Sequence, residues 1–240
     1  MTRYQPLPSR CGTVSYRNAL SGELWGEERW TIRRGVDGMR VLTAHCEMAL
    51  GVDHVVRDSL LAVDAAYHPH DGSVRIMNSG RWTGDGWYHF TDDLASCEAM
   101  SQDNGRLSQT MPITRPMRGF GQHALQSDAW LGATFPYDRG PGHVHFWGQN
   151  LLHSSHHLGA TGPGLAVTYS GLEFVGEETI TVPAGRFDCY KLRLVGITND
   201  HPPYEMWLTR DGDFLYVRGL VQGYMASVFE LETLEGAPLA

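Results

Sequence analysis

The feature that most limits the fold of this chain is a recurrence of short segments in which apolar and polar residues alternate. They are punctuated by Asx-Gly pairs at Asp37-Gly38, Asp71-Gly72, Asp85-Gly86 and Asn104-Gly105. Alternation with a period of two puts one face of a strand on a core and the other in water. Asx-Gly pairs tolerate the positive φ that tight hairpin turns require. No amphipathic stretch longer than about ten residues reads as a helix, and the best helical window is 122–131. The high counts of glycine (28) and proline (12) agree with a turn-rich chain.

Taken in order, residues 1–11 read as a loose arm, and a meander begins at Gly12. Strands are expected over 28–34 and 39–46 around Asp37-Gly38, and over 55–67 and 73–77 around Asp71-Gly72. Further strands, 81–83 and 87–90, flank a Gly84-Asp85-Gly86 turn, and 96–102 and 106–111 flank Asn104-Gly105. This gives about eight strands in the first 112 residues. After a central segment the pattern resumes at 165–174. A hairpin of 179–182 and 188–195 follows across Pro183-Ala184-Gly185, then 204–209 and 214–218 around Asp211-Gly212, and finally 223–231.

A long up-and-down meander must dispose of its edges, and closure does so. The expected fold is all-β: an antiparallel meander closing into a lipocalin-like barrel, one domain over 1–240. Its irregular part is 119–163, a long loop with a short helix inserted over the barrel mouth. Long ordered loops in compact domains usually build or cover sites. This one holds His123, His143, His145, His153, His156 and His157, half of the twelve histidines.

The net charge of −8 and the absence of a Lys/Arg stripe argue against nucleic acid. Lys191 is the only lysine, and it lies in an ordinary strand pattern. There is no apolar leader and no run of 18 apolar residues, so neither export nor a membrane is expected. Cys11, Cys46, Cys97 and Cys189 form no CxxC pair. With the missing leader they read as free thiols in a reducing cytoplasm.

The run GEETITVPAGRFDCYKLRLV (176–195) followed by YEMWLTRDGDFLYVRG (204–219) resembles the C-terminal part of the "domain of unknown function 3108" family and its β-barrel relatives. Val182, Pro183, Ala184, Gly185, Phe187, Asp188, Cys189 and Trp207 carry the likeness, over roughly the last 65 residues. It implies an antiparallel lipocalin-like or LolA-like barrel with an apolar interior, and no catalytic residues.

Several clusters could carry chemistry. His143-Val144-His145 would point two imidazoles to one face of a strand. With a third ligand such as His123, Asp128, Asp138 or a histidine of 153–157 they could hold zinc or iron, but no cofactor is the primary expectation. His153, His156 and His157 have the spacing of one helical turn. Tyr137, Asp138 and Arg139, with Asp128 nearby, could supply an acid, an anchor and an orienting carboxylate. Trp30, Trp87, Trp130 and Trp147 offer apolar lining for a ligand. Arg57 and Asp64, on the 55–67 strand, become ligand contacts if they point inward, where an unpaired charge would be costly. No GxSxG, P-loop, HExxH or dinucleotide fingerprint is present.

Three functions compete, one of them a structural or interaction protein with a filled barrel and no pocket. The first is an enzyme acting on an apolar or aromatic small molecule by acid–base chemistry of lyase, isomerase, dehydratase or cyclase type, with His143, His145, Tyr137, Asp138 and Arg139 as working groups. The second is a non-catalytic lipocalin-like carrier of a hydrophobic molecule. The expected partner in either case is a small hydrophobic or aromatic ligand, in a monomer or a homo-oligomer.

Overall fold

The computed structural model describes residues 7–51, 53–113, 117–155, 158–196, 201–223 and 226–239. Eight strands run in sequence through the first half: β1 (Ser9–Asn18), β2 (Leu24–Arg34), β3 (Arg40–Leu50), β4 (Asp53–Val63), β5 (Pro69–Asn78), β6 (Arg81–Phe90), β7 (Leu94–Ser101) and β8 (Gly105–Pro112). The inserted segment holds β9 (Phe120–Gly121), one helix α1 (Leu125–Leu131), β10 (Val144–Phe146), β11 (Asn150–Leu152) and β12 (Ala166–Thr168). The second half is β13 (Gly171–Val182), β14 (Gly185–Val195), β15 (Tyr204–Thr209), β16 (Tyr216–Val221) and β17 (Ser227–Glu235).

Fourteen of these form one antiparallel sheet, in which each long strand pairs with its sequence neighbour and β17 pairs with β1. The last strand therefore joins the two halves, and residues 9–11 of the stretch expected to form a loose arm belong to β1, with Cys11 opposite Glu235. The fold is all-β and antiparallel, as the alternation implies. β9, β11 and β12 make a second, three-stranded sheet.

Alternation sets which face is the core. Trp30 and Ile32 on β2, Leu42 and Cys46 on β3, Val55 and Leu61 on β4, and Val74 and Ile76 on β5 are all buried. Against this face lies the inserted segment, with Phe120 packed on Tyr88 and Phe90 at 4.6 and 4.9 Å. The hairpins at Asp37-Gly38, Asn104-Gly105 and Pro183-Ala184-Gly185 form where expected.

Two glycine signals have a different meaning. Asp71-Gly72 lies within β5, and Gly84-Asp85-Gly86 within β6, so neither is a turn. A Cβ on Gly72 would stand 2.7 Å from Nε2 of Gln122, and one on Gly84 would stand 2.6 Å from Cδ of Pro163. These glycines let the inserted segment approach the sheet backbone. The β4–β5 turn is built instead by Asp64, whose carboxylate accepts the backbone N–H of Ala66 and His68, each at 2.8 Å.

Candidate functional site

Between the sheet and the inserted segment is a cavity of about 210 Å³. Its apolar wall includes Tyr16, Trp25, Met48, Leu125, Met206 and Phe229. Tyr16 packs on Trp25 at 5.2 Å and on Phe229 at 4.9 Å. Its polar wall includes Arg57, His123, Asp128, Asn150 and Tyr204.

The helix that carries Asp128 is positioned by a buried carboxylate. Ala124, at its N-cap, supplies no side-chain bond. Glu28 on β2 does so from across the core, accepting the N–H of Leu125 at 2.8 Å and of Gln126 at 3.1 Å. This satisfies two otherwise orphaned donors at the positive end of the helix. The Tyr16 hydroxyl donates to the same carboxylate at 2.9 Å. Burial nevertheless pushes the Glu28 carboxyl up, against these hydrogen bonds and the Arg57 charge. Gln126 fixes the other side, accepting from the Tyr216 N–H at 3.0 Å and donating to the Phe214 carbonyl at 3.1 Å.

Asp128 is held at the cavity wall, and no described residue donates a hydrogen bond to its carboxyl. Burial, reinforced by the charge of Glu28 and opposed by that of Arg57, pushes it up to about 7. Tyr204 donates to the Tyr216 hydroxyl at 2.9 Å, and burial holds both phenols well above the usual range.

Arg57 points inward from β4 and is 1% exposed. Its guanidinium donates to the Leu158 carbonyl at 2.6 Å and to the His123 carbonyl, tying the inserted segment to the sheet. The His123 ring meets that of His153 edge-on at 5.0 Å. His153 is buried, and its Nε2–H donates to the Gly159 carbonyl at 3.2 Å; burial, then His123 and Arg57, hold its pKa well below the usual imidazole value. His156 and His157 lie outside the described residues.

The other residues singled out in the sequence fall elsewhere. His143 and His145 do share a face, with rings 6.1 Å apart, but they pack on Phe135 at 5.9 and 6.1 Å. Among the described residues no group of three or more His, Cys, Asp or Glu side chains is placed to hold a metal ion. Tyr137 donates its hydroxyl to the Gly132 carbonyl at 2.9 Å and stacks on Tyr190 at 3.7 Å. Burial raises its pKa. Asp138 and Arg139 are exposed on a single 3-10 turn, Tyr137–Arg139. None of these five lines the cavity.

Trp30, Trp130 and Trp147 are core residues, with Trp30 lying over Gly12, where a Cβ would stand 2.6 Å from the indole. Trp87 is on the opposite face of the sheet. Asp64 serves the β4–β5 turn, pairs with His68 at 3.1 Å and does not line the cavity. Arg57 alone of the expected ligand contacts reaches it. Sequence reasoning missed Glu28 and Trp25; Glu28 shares strand parity with Trp30 and Ile32, and a charge on an apolar face was the available signal.

No family model matches the chain, and no curated protein matches it. Among solved structures it is similar to a β-barrel-like protein of the domain of unknown function 1849 family from Brucella abortus. That match has a TM-score of 0.57 and 9% identity, and covers 98% of this chain and all of the other. A protein of the domain of unknown function 1089 family from Pseudomonas aeruginosa gives a TM-score of 0.47 at 8% identity, over 79% of this chain and 87% of its own. A protein with a YmcC-like fold from Bacteroides fragilis, described as exported, gives 0.34 at 11% identity, over 96% of both chains. The first likeness shows a β-barrel-like fold and nothing finer. The resemblance to the domain of unknown function 3108 family therefore extends to the type of fold and not to the family. The expected cytoplasmic location does not stand. The similar structures include the exported protein and one described as a lipoprotein from Parabacteroides distasonis, which gives a TM-score of 0.33 at 11% identity.

Proposed function

We propose that the protein binds a small, largely apolar molecule carrying one hydrogen-bond-donating head, in the cavity between the sheet and the inserted segment. The observation that carries this is Asp128: a carboxyl aimed into an aromatic-lined cavity with no partner of its own. Asp128 is half-buried, and a carboxyl on a mainly apolar cavity wall favours a ligand group that donates a hydrogen bond to it. Apolar pockets with a few convergent polar groups are the usual form of a small-molecule site. At about 30 Å³ for each water molecule, the space holds about seven waters. A ligand of about ten non-hydrogen atoms matches it, with its chain against Trp25, Met48 and Phe229 and its head at Asp128.

Calorimetry with 1-octanol, n-octylamine and octyl methyl ether tests this reading. The alcohol and the amine are expected to bind about tenfold more tightly than the ether, which cannot donate a hydrogen bond. Asp128→Ala should abolish that preference while leaving the apolar contribution. Equal affinities for all three in the parent protein would overturn the proposal.

A second reading is favoured by the carboxyl's position near neutrality. A group pushed up to about 7 is suited to take and return a proton. The acid–base enzyme expected from the sequence then centres on Asp128, with Arg57 opposing its protonation from the same cavity, and His143 and His145 have no part in it. Turnover lost in Asp128→Asn, with ligand affinity retained, would mark this reading over carriage.

A further inference from the structure

The face of β1–β8 turned away from the core is also concave. It forms an open groove of about 1050 Å³, separated by the sheet itself from the cavity that holds Asp128. The strand registers lay one row of side chains straight across it: Arg29 opposite His45, His45 opposite Asp58, Asp58 opposite Arg75, and Arg75 opposite Asp85. At about 4.8 Å between strands, these five strands span roughly 20 Å.

The row is balanced in sign, and its charges already neutralise one another. His45 meets Asp58 at 2.7 Å, and Arg75 meets Asp85 at 3.2 Å. Beyond them Arg106 meets Glu98 at 3.5 Å. Such a floor offers donors and acceptors with no net attraction for a polyanion or a polycation. An anionic ligand would meet the carboxylates, and a cationic one the arginines.

Two indoles stand on the same strand. Trp87 is 46% exposed at the groove, yet its ring is braced by a parallel stack on His89, 5.6 Å away at 5°. Trp82 is also exposed, and its indole N–H donates to the Asp85 carboxylate at 3.1 Å. Asp85 thus lies between the two rings. Four residues separate them on β6, and with the bulge opposite Ile76 and Met77 the run spans on the order of 13–16 Å.

We infer that this groove is a second binding site and that its ligand is a neutral oligosaccharide. The apolar C–H face of a sugar ring stacks on an exposed, rigid indole, which loses little conformational entropy on contact. Vicinal hydroxyls both donate and accept, which suits planar pairs such as Arg75–Asp85 and Arg106–Glu98. Balanced charge selects an uncharged polyol, and the length of the row selects an extended one.

Calorimetry with maltohexaose, cellohexaose and chitohexaose, each taken to millimolar concentration, tests the inference. At least one is expected to bind with a Kd of about 1 mM or lower. Trp87→Ala should weaken that binding about tenfold or more. Trp87→Phe, which keeps a ring, should weaken it less, and Asp85→Asn should weaken it without unfolding the protein. No binding by any of the three would overturn the inference. Wild-type affinity in folded Trp87→Ala, or tighter binding of a heparin hexasaccharide than of all three neutral probes, would do the same.

Discussion

The Glu28 carboxylate on β2 accepts the backbone N–H of Leu125 at 2.8 Å, across 97 positions of sequence. A short helix with no cap of its own is thus fixed to the sheet by a buried acid, and this contact sets where Asp128, three residues further on, meets the cavity.

Removing that acceptor leaves the N–H groups of Leu125 and Gln126 and the Tyr16 hydroxyl without their partner. Glu28→Ala is expected to cost about 2–4 kcal/mol in urea denaturation. Glu28→Gln, which keeps one acceptor oxygen, should cost less. A loss below about 0.5 kcal/mol for the alanine variant would show that the helix is held by packing alone.

Asp128 should make stability depend on pH in a direction opposite to that of an ion-paired carboxylate. Its folded-state pKa is raised from 3.8 to about 7, so the folded protein binds the proton more tightly than the unfolded chain. The stability this contributes is full below about pH 4 and is lost as the pH rises through about 7. Asp128→Asn, neutral throughout, should match the parent near pH 4 and exceed it by roughly 1–3 kcal/mol at pH 8. Parallel curves for the two proteins across that range would refute the assignment.

Gly84 and Gly86 give space to Pro163 rather than to a turn. Gly84→Ala would bring a Cβ to 2.6 Å from the proline Cδ and 2.8 Å from the Gly162 carbonyl oxygen. It is expected to destabilise the fold by about 1–3 kcal/mol through overpacking. Gly22→Ala provides the contrast, because nothing lies within 4 Å of its Cβ position and any cost there reflects positive φ alone.

On the outer face, the Asp58 and Glu47 carboxylates hold the His45 imidazole above its ordinary 6.5. In an NMR titration Asp58→Asn should lower the His45 midpoint. The stabilising part of this contact is present below the ordinary value and fades as the pH passes the raised one. An unchanged midpoint would mean that the pairing is absent in solution.

Much of the fold was legible because two independent signals agreed. At Asp37-Gly38 and Asn104-Gly105, alternation and turn chemistry point to the same hairpins, and both form. At Asp71-Gly72 and Gly84-Asp85-Gly86 the same turn signal lies inside a strand. Glycine has a second use, to admit another part of the chain, and Gln122 and Pro163 cannot be placed over those positions without the fold. The site was legible in part for the same reason. Arg57 declared itself as a charge on an otherwise apolar strand face. The histidines of 143–157 drew attention by number, but a count carries no geometry, and His143 and His145 pack on Phe135.

The central claim is that Asp128 is a free, near-neutral carboxyl which a ligand engages. A carbon-detected NMR titration of Asp128, without and with saturating 1-octanol, addresses it most directly. The account predicts a midpoint near 7 in the free protein and a clear displacement of that midpoint once the alcohol is bound. A midpoint in the ordinary carboxylate range, or one that the alcohol leaves in place, would contradict it.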